Sequence, residues 1–189
     1  MSSADGSGML SAQEFEKLNV AAQAAYEHKN YPDAVRLYQQ ALGTINPVEK
    51  PAAHAEARNN LSVALLKGGN AQAALEQASG TEHIFAGIRD PQRQAIALGN
   101  IAAALVELQR HDEGLEKYQL SADLFKQTGN DEMRSYVLRE ISVLQMKRGK
   151  QADSLFAMDA ALASKKKLNW SESIIQSLMR IIRRMMGSN

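Results

Sequence analysis

Residues 31–42 read YPDAVRLYQQAL, with Ala34, Tyr38 and Ala41 at helical spacing behind a polar turn. The motif is not isolated. Ala34-Val35 returns as Ala74-Leu75, Gly114-Leu115 and Ser154-Leu155, each pair 40 residues after the last and each following a polar turn. A second column keeps the same step: Ala21, Leu61, Ile101 and Ile141 are apolar, each is followed by the small Ala22, Ser62, Ala102 or Ser142, and turns fall at Asn30, Asn70, Arg110 and Lys150. A fixed period held from residue 15 to 170 is the mark of a repeat array, in which no unit buries its apolar stripe alone and the stack is the folding unit.

Within each unit the apolar residues have helical spacing. In NIAAALVEL (100–108), Ile101, Leu105 and Leu108 share one face. The pattern predicts paired helices over 12–29 and 31–44, 52–68 and 71–86, 92–109 and 111–128, and 131–148 and 151–167. Ser11 with Glu14 fits a capping box, and Gly68-Gly69 and Gly149 fit helix ends. Small residues recur because antiparallel helices approach closely only where one presents Ala, Gly or Ser to the other. Composition agrees: 5% aromatic residues and four prolines leave strands little to build with, so the chain reads as all-α. A polar tail is expected over residues 1–10.

These residues resemble the tetratricopeptide repeat, whose signature runs W-x2-L-G-x2-Y, then A-x3-F, and later P. The first unit matches with Ala34-x3-Tyr38 and Ala41, and the third with LGNIAAAL followed by Gly114-x3-Tyr118. Ala78 and Met158 stand where the aromatic belongs in the other two, no unit has the Trp, and Pro47 and Pro91 meet the proline column loosely. The family period is about 34, and the extra residues amount to about 1.7 helical turns. They are assigned to the second helix of each pair and its following loop, a longer form similar to the repeats of spindle-orientation adaptors and kinesin light chains. The resemblance implies a right-handed superhelix of four antiparallel helix pairs, with units near 15–54, 55–94, 95–134 and 135–170. It also implies a non-catalytic protein-interaction scaffold whose first helices line a concave groove for a peptide or helix of a partner.

The groove residues follow from the resemblance. Asn60 and Asn100 take the place where the family often holds a ligand backbone, and an amide carries both donor and acceptor for that task. Val20 and Glu140 break this ladder at its ends, and capping or bridging between helices is the other role open to the two amides. The clamp used for terminal carboxylates is not matched: Asn19, Gln23, Asn60, Ile96 and Asn100 stand in its places and only Asn60 agrees. The third and fourth units instead present Ile96, Val106, Tyr136, Val143 and Met146 with Arg139 among them. That is an apolar wall with one cation, suited to an apolar or amphipathic peptide, unless its members serve as core between repeats.

Other chemistries find little support. The formal net charge is +1, so no global field draws nucleic acid, and Lys165-Lys166-Lys167 comes without an aromatic platform. With no cysteine, thiolate metal sites and cysteine nucleophiles are excluded. His28, His54, His83 and His111 are scattered without ligand spacing, and no phosphate-binding or nucleophile motif occurs. No enzyme activity, cofactor or metal is expected. The opening residues lack a signal-peptide pattern and no segment is long enough to span a membrane, so a cytoplasmic protein is expected.

The stretch SESIIQSLMRIIRRMM, residues 171–186, is the remaining feature. Projected as a helix, its Ile, Leu and Met residues fall in one arc of about 160°, and Arg180, Arg183 and Arg184 lie opposite. Asn169 or Ser171 can cap its start, with Glu172 in the first turn. The reading assigns it as a helix that caps the fourth unit, with Trp170 filling the corner. The alternatives are an anchor on an anionic membrane surface, with Lys165–Lys167 beside it, and a helix that pairs with a second copy or a partner.

Overall fold

The computed structural model describes residues 4–165 and 167–186, with side chains described between 12 and 182. Helices α1 (Ala4–Glu27) and α2 (Tyr31–Gly43) form the first pair, and α3 (Pro51–Lys67) is followed by α4 (Ala71–Ala78) and α5 (Thr81–Gly87). Next come α6 (Pro91–Glu107), α7 (His111–Gln127), α8 (Asp131–Lys147), α9 (Gln151–Ser164) and α10 (Trp170–Met186). No strand occurs among the described residues.

The 40-residue step is written into the backbone. First helices start at 51, 91 and 131, and second helices at 31, 71, 111 and 151. The third unit shows why: α6 and α7 have 17 residues each, and a three-residue joint follows each of them. Every joint within a pair turns on one left-handed residue, namely Lys29, Gly69, Gln109 and Gly149, with φ of 60°, 84°, 62° and 72°. The next residue then donates its N–H back five positions, as from Asn30 to Ala25, Asn70 to Leu65, Arg110 to Leu105 and Lys150 to Gln145, each at 2.9 Å. This satisfies a carbonyl the helix end would leave open and reverses the chain. Where Asn or Asp occupies the following cap position, its side chain accepts from the third residue on: Asn70 from Ala73 at 3.1 Å, Asp90 from Arg93 at 2.9 Å, Asn130 from Met133 at 3.1 Å.

Two columns of small residues meet inside the pairs. Ala22, Ser62, Ala102 and Ser142 are buried on the first helices, and Ala34, Ala74, Gly114 and Ser154 on the second. In the fourth unit the contact is polar, with the Ser142 hydroxyl donating to the Ser154 carbonyl at 2.9 Å. In the third, the carbonyl of Ala102 lies 3.2 Å from where a Cβ on Gly114 would stand. Leu61, Leu65, Tyr38 and Ile101 join units one to three in one core, and Tyr118, Phe125, Val137 and Ile141 join units three and four in another.

Three expectations change. The helix expected over 71–86 is two, because Ser79 is extended (ψ 131°) and Gly80 is left-handed (φ 85°). The break is filled from outside: Arg58 donates to the carbonyls of Glu76 (2.9 Å) and Ser79 (3.0 Å), and Thr81 donates to that of Ala78 at 2.6 Å. The first helix begins at Ala4 rather than near 12, so the tail expected over 1–10 carries helical backbone from residue 4. No proline stands there to stop a helix from extending backward, and Ser11 lies within α1 rather than at its start. Residues 1–3 of that expected tail lie outside the described residues.

The third change concerns α10. Its start is capped as expected: Asn169 Oδ1 accepts from the Glu172 N–H at 2.8 Å, and Glu172 accepts from the Asn169 N–H at 3.0 Å. The apolar arc, however, is not covered by the fourth unit. Ile174, Ile175, Leu178, Ile181 and Ile182 are all exposed, and Trp170, expected to fill a corner, is 82% exposed. The cause lies in the joint, where α9 ends at Ser164 and Lys165 takes an extended conformation (ψ 132°). An extended residue breaks the three-residue turn that joins the two helices within each earlier pair.

Candidate peptide-binding groove

The first helices leave large apolar side chains uncovered: Val20 on α1, Ile96 on α6, and Tyr136, Val143 and Met146 on α8. Burial is the main cause that raises the Tyr136 phenol above its ordinary range, and the charge of Glu140 adds to it. The Tyr26 phenol adds to the rise and the Arg139 charge works against it. Tyr26 itself rests on Tyr31, ring centroids 5.6 Å apart.

Between α6 and α8 lies a cleft of about 90 Å³. Ile96, Gly99, Asn100 and Ala103 form one wall, Met133, Tyr136 and Val137 the other, and Tyr118, Ser121 and Phe125 of α7 the floor. The small residues at 99 and 103 open it. Floor and frame are fixed, since Ser121 is fully buried and donates to the Ala95 carbonyl at 2.7 Å. Beyond the cleft, Val143 and Met146 continue the exposed apolar line along α8.

No family model and no curated protein matches the sequence. Solved structures do match. BtubC (BKLC) from P. vanneervenii, a kinesin light chain-like repeat protein, aligns over 92% of this chain and 81% of its own, with a TM-score of 0.71 at 16% identity. The Sgt2 TPR domain from Aspergillus fumigatus aligns over 82% of this chain and 87% of its own, with a TM-score of 0.51 at 22% identity. The fold is a tetratricopeptide-type superhelix. It is all-α, and the likeness to kinesin light chain repeats drawn from the 40-residue period has its counterpart in the first of these structures.

In this superhelix the eight residues picked out from the sequence divide. Ile96, Asn100 and Tyr136 meet at the cleft, and Val143 and Met146 extend it. Asn60 and Asn100 are half-buried, and neither amide hydrogen-bonds another described residue. The bridging role falls to Asn59, which is 5% exposed and whose side chain meets the Thr81 hydroxyl at 3.1 Å. Val106 belongs elsewhere: half-buried, it turns Cγ2 onto Gly114 and closes the seam of its own pair. Arg139 is exposed, but an acid already stands near it. The Glu172 carboxyl is held below the usual range first by Lys165, 2.6 Å away, then by the Asn169 N–H, with Arg139 adding to the effect. Glu172, in the first turn of α10, thus already has Lys165 as its partner.

Sequence reasoning missed Tyr26 and Met133. Tyr26 sits in the same repeat column as Leu66, Val106 and Met146, so the period already marked it. Met133 lies in the first turn of α8, behind Asp131 and Glu132.

Proposed function

We infer that this chain is a non-catalytic scaffold that holds an apolar or amphipathic segment of a partner protein against the inner faces of α6 and α8. The observation that carries the reading is the set of exposed apolar residues Ile96, Tyr136, Val143 and Met146, with the Asn100 amide at the cleft and without a hydrogen-bond partner among the described residues. Apolar side chains left open in a row favour a partner's apolar face, and an unpaired amide favours a peptide group, which brings its own donor and acceptor. The two solved structures of this architecture support an interaction role.

The test is a binding comparison with a partner captured by the wild-type chain. Tyr136→Asp and Val143→Asp introduce a charge into the apolar line and reduce affinity at least tenfold, while Asn100→Ala gives a smaller loss. The same affinity in all three variants as in wild type removes the groove reading.

A further inference from the structure

The exposed face of α10 has a second peculiarity besides being apolar. Residues 165–189 contain six Lys and Arg against one Glu, whereas residues 1–164 contain 16 against 20. The chain of nearly zero net charge is thus an acidic repeat array joined to a strongly basic segment. On α10 the polar side facing away from Ile174, Leu178 and Ile182 is small: the Ser173 hydroxyl donates to the Asn169 carbonyl at 3.0 Å and that of Ser177 to the Ser173 carbonyl at 2.9 Å. Arg180 stands exposed on the side opposite the apolar arc, and Lys167 is exposed just before the helix begins.

We propose that α10 lies on an anionic bilayer surface, its Ile and Leu face in the acyl boundary and its Lys and Arg side chains among acidic headgroups. A helix with one wide apolar face, a basic remainder and low overall hydrophobicity has the form that settles in a membrane interface rather than crossing it. No helix among the described residues is long and apolar enough to cross. Trp170 adds an independent observation. It is almost fully exposed at the start of the helix, and at about 100° per residue it falls beside Ile174 and Ile181, where an interfacial indole sits between headgroup and chain. A second copy fits the same face less well, because pairing two such helices gathers both basic segments into one field, while acidic lipid neutralises each.

The test uses the full chain and vesicles of phosphatidylcholine alone or mixed in equal parts with phosphatidylserine. Trp170 is the only tryptophan, so its emission reports this helix directly. The proposal expects sedimentation and a blue shift with the mixed vesicles only, both reversed by high salt. Leu178→Glu abolishes binding, and Arg180→Glu, at an exposed site that folding does not need, weakens it about tenfold or more. Tyr136→Asp leaves it unchanged, which separates this outcome from that of the groove. Absence of binding to mixed vesicles, or equal binding to both kinds, overturns the proposal. So does a dimer in solution that Leu178→Glu dissociates while the wild type ignores vesicles.

Discussion

A Cβ on Gly114 would stand 2.7 Å from Cγ2 of Val106, inside the distance that carbon atoms tolerate. The same column holds Ala34 in the first unit and Ala74 in the second, opposite Tyr26 and Leu66 rather than a β-branched residue. Glycine at 114 thus answers valine at 106. Gly114→Ala gains about 1 kcal/mol of helix propensity but forces a stiff side chain and the Ala102 carbonyl to yield, for a net loss of about 1 kcal/mol and a Tm lower by roughly 2–4 °C. Val106→Leu with Gly114→Ala restores stability to wild type or above. Thermal unfolding of the two singles and the double checks the coupling.

Lys29 and Gln109 occupy left-handed positions that glycine fills at the other two joints within pairs. A side chain in that conformation costs about 1–2 kcal/mol, part of which glycine returns through the freer unfolded chain. Gln109→Gly therefore raises stability by about 0.5–1 kcal/mol. Urea unfolding at unchanged slope measures it.

The break between α4 and α5 depends on Arg58, whose guanidinium reaches two carbonyls that no N–H of the helix can reach. Arg58→Ala leaves them without this donor and costs about 1–3 kcal/mol. Arg58→Lys recovers little of that, because one ammonium does not reproduce the planar fork. Hydrogen exchange is the second readout, with faster exchange concentrated between residues 71 and 87.

Asp90 gives the pH dependence its sign. Its carboxyl is held below the ordinary range by the Arg93 N–H first and the Arg93 side chain next. A depressed folded value contributes stability that is present above the ordinary carboxylate pKa and is lost as pH falls through the folded value. Asp90→Asn keeps the cap, as Asn30, Asn70 and Asn130 do, and removes this portion of the acid lability. Asp90→Ala lowers stability at neutral pH by about 1 kcal/mol. Melting curves from neutral pH down past the carboxylate range distinguish the two.

Most of the fold was legible because a repeat array states the same geometry four times. Helix starts, the Asn caps and the small-residue columns all follow from a step of 40. What was hidden lay where one unit departs from the others. Ser79-Gly80 is an ordinary turn signal that the 40-residue pattern of paired helices passes over, and it divides the second helix of the second unit. Lys29 and Gln109 carry no glycine to announce a left-handed turn, so only the joint geometry shows it. Ile96, Tyr136, Val143 and Met146 were readable as apolar residues of the first helices, and all four are exposed. Val106 is not, since its direction is set by the absence of a side chain at Gly114. The open face of α10 depends on the extended Lys165, a single torsion that no periodicity encodes.

The inner faces of α6 and α8 are the centre of this account, and site-specific photo-crosslinking addresses them directly. A benzophenone amino acid placed at Tyr136 or Val143 is predicted to capture the partner, and the same probe at Phe156, exposed on the second helix α9, is predicted not to. Equal capture from position 156, or capture from that position alone, contradicts a groove lined by the first helices.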